Sequence, residues 1–320
     1  MQNSRILLEK SNDKYRQCRI PGIVLTDNGT LLAYYECRKE LSDWADIDLK
    51  IIRSTDGGDT WSIVDIISGD GNTLNNPMMV VCKDRILFLY CKNYKQLFIH
   101  QSIDDGKTFS EPVVASEVFE KNIPFYNAVA IGPGHGILHN GNILVPIWYA
   151  YNKEDAISHR PSNVAVIYSK DNGKSWDLGE IIGQRVLINP SESALAIIDD
   201  GRVLISMRNE NSAHKRAIAI SNTGYDNWTD LHFAETLTDP ICQGSIDSDR
   251  GMLFHINCDC ETERKNLCLK ISNNAFVYYE KIFIDEEGGY SDIAVSDDCY
   301  YIIYERDIDN DGLYFIKIRR

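Results

Sequence analysis

Ser54-Thr-Asp-Gly-Gly-Asp-Thr-Trp61 recurs as Ser102-Ile-Asp-Asp-Gly-Lys-Thr-Phe109 and again as Ser169-Lys-Asp-Asn-Gly-Lys-Ser-Trp176. A worn copy runs Ser221-Asn-Thr-Gly-Tyr-Asp-Asn-Trp228, and a fainter one starts at Ser272. The serines stand 48, 67, 52 and 51 residues apart. Self-similarity at such an interval marks a repeat architecture, and one four-stranded propeller blade takes ~40–50 residues. The motif reads as a tight turn. Serine and aspartate oxygens bond backbone amides within it, glycine supplies an unusual φ, and the aromatic packs between strands. These octapeptides therefore speak for architecture and not for chemistry. Five markers and a closing blade predict six blades, with a strand near Arg5–Glu9 pairing with C-terminal strands to close the ring.

The segments between the markers agree. GIVLTDNGTLLAYYE, DRILFLYCKN, GNILVPIWYAY, SALAIIDDGRVLISMR and DIAVSDDCYYIIYE are short apolar or alternating runs. Several contain DNG or DDG turns and read as hairpins. No sustained 3.6-residue apolar stripe appears, so the class is all-β, a six-bladed β-propeller. With no Pro/Ser linker to divide the chain, residues 1–320 are expected to form a single domain.

The bulk properties exclude several functions. A net charge of −14 makes nucleic acid an unsuitable partner, because phosphate binding needs a basic face. An acidic ligand would need a local arginine cluster. The N-terminus has no apolar segment of signal-peptide length, and no transmembrane run is present, so no membrane partner is expected. Nine cysteines without a repeating interval suggest reduced thiols and a cytoplasmic location. Cys258-x-Cys260 lacks a second ligand pair at zinc spacing, and Asp307-Ile-Asp-Asn-Asp-Gly312 imitates a calcium loop but has Ile318 at its twelfth position. No metal and no cofactor are expected.

The octapeptides resemble the Asp-box of the sialidase superfamily, and the resemblance extends to residues that do not repeat. Arg19-Ile-Pro is similar to that family's RIP motif. Arg208, in Ser-Met-Arg-Asn-Glu, is similar to its second arginine, and Arg264, in Glu-Arg-Lys-Asn-Leu, to its third. The resemblance implies that Arg19, Arg208 and Arg264 converge on a substrate carboxylate, a task suited to planar guanidinium forks. Arg216 and Arg250 lie in the same interval as Arg264 and remain alternatives. Glu305, in Ile-Ile-Tyr-Glu, matches the carboxylate that orients the first arginine.

A sialic acid carries its carboxylate on the anomeric carbon, so an anionic nucleophile would be repelled, and sialidases use a tyrosine. Gly288-Gly-Tyr-Ser-Asp292 resembles the family's tyrosine segment, which makes Tyr290 the implied nucleophile. Glu192, 16 residues before Arg208, matches the base that takes its proton. The general acid is implied in Leu41-Ser-Asp-Trp-Ala-Asp-Ile-Asp48: Asp43 first, Asp46 as the fallback, with Asp48 leading into a strand. Arg38 stands where some relatives touch the sugar's 4-hydroxyl, and reads as either that contact or a simple salt bridge. His135, in Gly132-Pro-Gly-His-Gly136, reads as either a cleft-rim or a turn histidine. Trp148 and Tyr149 read as either a wall for the N-acyl group or core. Asp239–Ser245 reads as a structural turn near the cleft.

The resemblance implies an exo-α-sialidase acting on terminal sialic acids of glycans, with retention through a tyrosyl intermediate. A relative acting on another 2-keto sugar acid such as KDN, by hydrolysis or transfer, stays open. So does a binding propeller without turnover.

Overall fold

The computed structural model describes residues 5–273, 275–277, 280–306 and 312–320. The calcium-loop mimic at residues 307–311 lies outside them. Among the described residues the strands form six sheets set around an axis, a six-bladed β-propeller. Blade I consists of Gln17–Leu25, Leu31–Arg38, Ile47–Ser54 and Ser62–Ile67. Blade II consists of Leu74–Val81, Ile86–Lys92, Gln96–Ser102 and Val113–Val114. Blade III has Ala128–Ile131, Asn142–Ala150, Ser162–Ser169 and Asp177–Leu178. Blade IV has Ser193–Ile197, Val203–Met207, Lys215–Ser221 and Thr229–Thr238. Blade V has Ser245–Asp249, Met252–Cys258, Lys265–Ser272 and Glu280–Glu287. Blade VI joins Ser291–Val295, Cys299–Arg306 and Gly312–Arg319 to the N-terminal strand Arg5–Glu9, which pairs antiparallel with Gly312–Arg319 and closes the ring.

Two blades exceed the expected four strands. Gly134–His135 adds a parallel strand beside Leu74–Val81 of blade II, and Ile137–His139 adds one to blade III. Both additions, and the one short helix, Glu117–Asn122, fall between Ser102 and Ser169, the longest marker interval. No described helix is long and apolar enough to cross a membrane.

The octapeptide turns join the third strand of a blade to the fourth. In blade I, Ser54 Oγ accepts from Gly58 N at 2.9 Å and donates to Asp56 Oδ1 at 2.7 Å, while Thr60 N and Oγ1 both donate to Asp56. Ser102–Asp104–Thr108 and Ser169–Asp171–Ser175 repeat the pattern. In the worn copy Thr223 replaces the aspartate, and Gly224 N still donates to Ser221 Oγ. At the faint fifth marker Phe276 N reaches Ser272 Oγ at 3.1 Å.

Antiparallel order fixes which residues share a face. Turns between strands one and two and between three and four lie at one end of the ring. Loops between two and three, and connections from blade to blade, lie at the other. The markers occupy the first end. Residues at the start of a first strand, at the end of a second, or in a two–three loop share the second end.

Apolar layers between neighbouring blades hold the ring. At the closure, Phe315 of blade VI is 1% exposed and meets Trp61 of the blade I marker edge-on, 5.3 Å between centroids. Truncating a buried phenylalanine costs about 3–5 kcal/mol. Phe315→Ala is therefore expected to shift the urea midpoint strongly, and truncation of the exposed Phe125 hardly at all. Equal shifts would show that the closure contributes nothing special to stability.

Candidate active site

Seven site residues named from the sequence lie at the second end of the ring. Arg19 is near the start of the first strand of blade I. Glu192 and Tyr290 immediately precede the first strands of blades IV and VI, Arg208 immediately follows a second strand, and Glu305 lies near the end of one. Asp43 and Arg264 stand in two–three loops. Together with Arg38, all of them except Glu305 line one cleft of about 500 Å³.

The local backbone aims Arg19. The pairing register of the first blade I hairpin slips between Arg19 and Gly22, and Ile20 adopts φ 54°. A β-branched residue in that left-handed region is strained by ~1–3 kcal/mol. The strained turn exposes Ile20 N, which donates to Glu305 Oε1 at 3.0 Å. Arg19 lays a bidentate fork on the same carboxylate, Nε to Oε1 at 3.0 Å and Nη2 to Oε2 at 3.1 Å. Tyr290 N donates to Oε2 at 3.1 Å. Burial pushes the Glu305 carboxyl up, but Arg19, Arg264 and the backbone donors outweigh it and hold the group below its ordinary value. A Cβ at residue 289 would stand 2.6 Å from Glu305 Oε2, so glycine is required beside Tyr290.

Arg208 and Glu192 face each other across the mouth of the blade IV hairpin, with Arg208 N on Glu192 O at 3.0 Å and Ser191 N on Arg208 O at 3.0 Å. Their side chains form an ion pair. Tyr290 Oη donates to Glu192 Oε1 at 2.5 Å and accepts from Arg208 Nη1 at 3.0 Å. The Arg19 and Arg264 guanidinium carbons lie 4.9 and 5.3 Å from the Tyr290 ring centroid. Burial and the Glu192 charge raise the phenol's pKa, against which Arg208, Arg264 and Arg19 act. The site therefore holds a neutral phenol bonded to Glu192, with three guanidinium groups around it. Such an arrangement can accept an anion, and it can transfer the phenolic proton to Glu192 as the oxygen attacks.

Across the cleft, Arg38 is clamped between two carboxylates, Glu36 at 2.7 Å and Asp43 at 2.6 Å. Burial of Asp43 opposes ionisation, but Arg38, Arg19 and His159 lower its pKa overall and favour the carboxylate. Asp46 pairs instead with Lys39 and does not line the cleft. Asp48 lies within a strand, bonded to Tyr15 and Gly69 N, and its pKa falls to about 2.

Other residues fall differently from the alternatives drawn. Arg250 is 69% exposed and pairs with Asp297. Arg216 is fully buried behind the site, bonded to Ser206, Asp239 and the Cys242 carbonyl. Trp148 lines the cleft, whereas Tyr149 packs in the core on the opposite face of the strand. The Asp239–Ser245 turn places Cys242 against Tyr290. His135 is on no rim: it is buried near the axis. Trp61 and Trp176 are away from the cleft.

Sequence reasoning missed Glu36, Trp44, Tyr94 and His159. Glu36 is two residues before Arg38 on one strand, so period-2 alternation was an available signal. The rings of Trp44, Tyr94, Trp148 and His159 cluster at 4.6–6.1 Å. They come from four separate segments, three loops and one strand spread over blades I, II and III, and no local pattern links them.

A family model described as a BNR repeat-like domain matches residues 64–303. A sialidase of Bacteroides fragilis is 26% identical, with 96% of this chain and 63% of that protein aligned. The chain thus spans about three fifths of that relative's length. Among solved structures, a Hadza microbial sialidase, Hz136, superposes with a TM-score of 0.84 at 24% identity over 96% of this chain and 66% of that one. Trypanosoma rangeli sialidase in complex with 2,3-difluorosialic acid, a covalent intermediate, gives a TM-score of 0.76 at 18% identity over 98% and 58%.

The Glu305 clamp has a pH signature. Its folded pKa lies below the ordinary 4.5, so its stabilisation is present above pH 4.5 and is lost as pH falls through the lower folded value. Glu305→Gln leaves Arg19 without its counter-charge, a change that costs about 3–5 kcal/mol for a buried pair. The melting temperature of Glu305→Gln is expected well below wild type at pH 7, with the gap narrowing below pH 4.5. A gap independent of pH would contradict the assignment.

Proposed function

The chain belongs to the BNR repeat-like domain family and the sialidase superfamily, and from that premise we propose that it is an exo-α-sialidase acting with retention through a tyrosyl-linked intermediate. The observation that carries this reading is the 2.5 Å bond from Tyr290 Oη to Glu192 within a ring of arginines. Binding the substrate carboxylate needs the arginines alone. A phenol bonded to a buried base has no use in a lectin, so the pair favours turnover over binding.

In this reading the sugar carboxylate sits between Arg19, Arg208 and Arg264. Tyr290 Oη attacks the anomeric carbon as its proton passes to Glu192, and the bond to the leaving oxygen breaks. Asp43 protonates that oxygen and afterwards activates water. The lowered pKa of Asp43 fits this role once substrate is bound. An anion placed among Arg19 and its neighbours cancels the positive potential that keeps Asp43 ionised, and so raises its proton affinity. Arg38 is the contact for the 4-hydroxyl. Residues 1–320 act as one unit, with terminal sialic acids of glycans as substrates. The cysteine usage puts the activity in a reducing, cytoplasmic compartment.

Two measurements test the reading. With an aryl α-N-acetylneuraminide, the first product seen by ¹H NMR is expected to be the α-anomer; first formation of the β-anomer would exclude retention. Asp43→Ala is expected to lose on the order of 10²–10⁴-fold in kcat on a sialyllactose, whose leaving group needs protonation, and far less on the aryl substrate. Equal losses on both would remove Asp43 from the acid's role.

A further inference from the structure

Gly132-Pro-Gly-His-Gly136 plays no part in the chemistry above, yet the fold spends an extra strand on it. Gly134–His135 runs parallel to the inner strand of blade II, opposite Met78 and Met79. Gly134 has φ 100°, a conformation open to glycine, and its carbonyl accepts from Tyr34 Oη at 2.9 Å. Met79 N donates to the same Tyr34 oxygen at 3.0 Å. This strand delivers His135 to the axis, where its Nδ1 lies 2.9 Å from Asp292 Oδ1.

Asp292 is fully buried and heavily bonded. It accepts from Ile23 N of blade I at 2.9 Å, from Ser245 Oγ of blade V, from its neighbour Ile293 N at 2.9 Å, and from His135. One carboxylate therefore ties blades I, II and V to blade VI. It lies two residues beyond Tyr290, on the strand that directly follows the nucleophile. Glu305 grips the Tyr290 backbone from one side, and Asp292 anchors the strand from the other.

We propose that His135 and Asp292 are positioning residues for the nucleophile: a clasp on the propeller axis that holds in place the strand directly following Tyr290. The clasp rests on the sialidase reading given above. Two titratable groups act on the His135 ring, Asp292 and Asp247 of blade V, whose carboxylate accepts from Val295 N at 3.0 Å, and Tyr34 acts on Asp292 in turn. Burial disfavours the imidazolium, but Asp292 and Asp247 outweigh it and raise the pKa from 6.5 to about 9. The clasp is thus complete below pH 6.5 and is lost as pH rises through about 9.

The test uses His135→Leu, which removes donor and charge, and His135→Asn, which keeps an amide donor for Asp292 without the charge. At pH 7 with the aryl substrate, His135→Leu is expected to lower kcat on the order of tenfold to a hundredfold, the effect of a misplaced reacting group, with KM little changed. His135→Asn, which keeps the donor without the charge, is expected to recover only part of that loss, to the level that wild type reaches once the imidazole is neutral. Wild-type kcat should fall as pH rises through about 9, and His135→Asn should lack that limb. A folded His135→Leu enzyme with wild-type kcat, or an unchanged alkaline limb in His135→Asn, overturns the clasp. NMR titration of the His135 ring decides it without any turnover: a midpoint near 9 supports the clasp and one near 6.5 overturns it. An inactive wild-type protein with the high midpoint would count against the sialidase reading alone.

Discussion

Both the ring and the site depend on the carboxylate of Glu305. It comes from the last blade and binds the first, through the Arg19 fork and Ile20 N. It also holds Tyr290 N. A buried charge in this position is tolerable only when its lone pairs are filled, and the fork and two amides fill them. Closing the propeller and building the cleft are therefore one event. The strained Ile20 turn persists because the amide it turns inward has this acceptor.

The rest of the cleft repeats the principle with other partners. Each guanidinium in it is oriented by a carboxylate or lies against the Tyr290 ring: Arg19 on Glu305, Arg38 on Glu36 and Asp43, Arg208 on Glu192, Arg264 over the ring. A chain with net charge −14 thereby maintains a pocket that favours an anion. The acidic partners hold the arginines rigid, so the site is organised before ligand arrives, which is what stabilisation of developing charge requires. Tyr290 stays neutral among these charges because it is buried beside Glu192.

The blade count was legible because turn chemistry is local: Ser, Asp and Gly at fixed offsets bond within eight residues, whatever lies around them. Ring closure through Arg5–Glu9 followed from counting, and the face opposite the markers from antiparallel order. The partner pairs left traces for the same reason. Glu192 and Arg208, and Tyr290 and Glu305, bracket single hairpins, so their sequence separations record cross-strand neighbours. The resemblance points to Arg264 as the third arginine but leaves Arg216 and Arg250 open, because the three differ in whether the side chain enters cleft, core or solvent, and only packing between blades decides that. The extra strands escaped notice because two or three residues carry no periodic signal. His135 was misplaced for that reason: a glycine-rich loop at the rim and one threaded to the axis have the same composition.

The central claim is that a buried tyrosine, and not a carboxylate, is the attacking group. A 3-fluorosialosyl fluoride traps such an intermediate: the C2 fluoride leaves as the sugar is transferred, and fluorine at C3 destabilises the oxocarbenium-like transition state of turnover. Mass spectrometry of the proteolysed, labelled protein measures where the sugar is attached. One added 3-fluorosialosyl group is expected on the peptide carrying Gly288-Gly-Tyr-Ser-Asp292, located at Tyr290, and none in Tyr290→Phe. Label on Glu192, on Asp43 or on any other residue would contradict it.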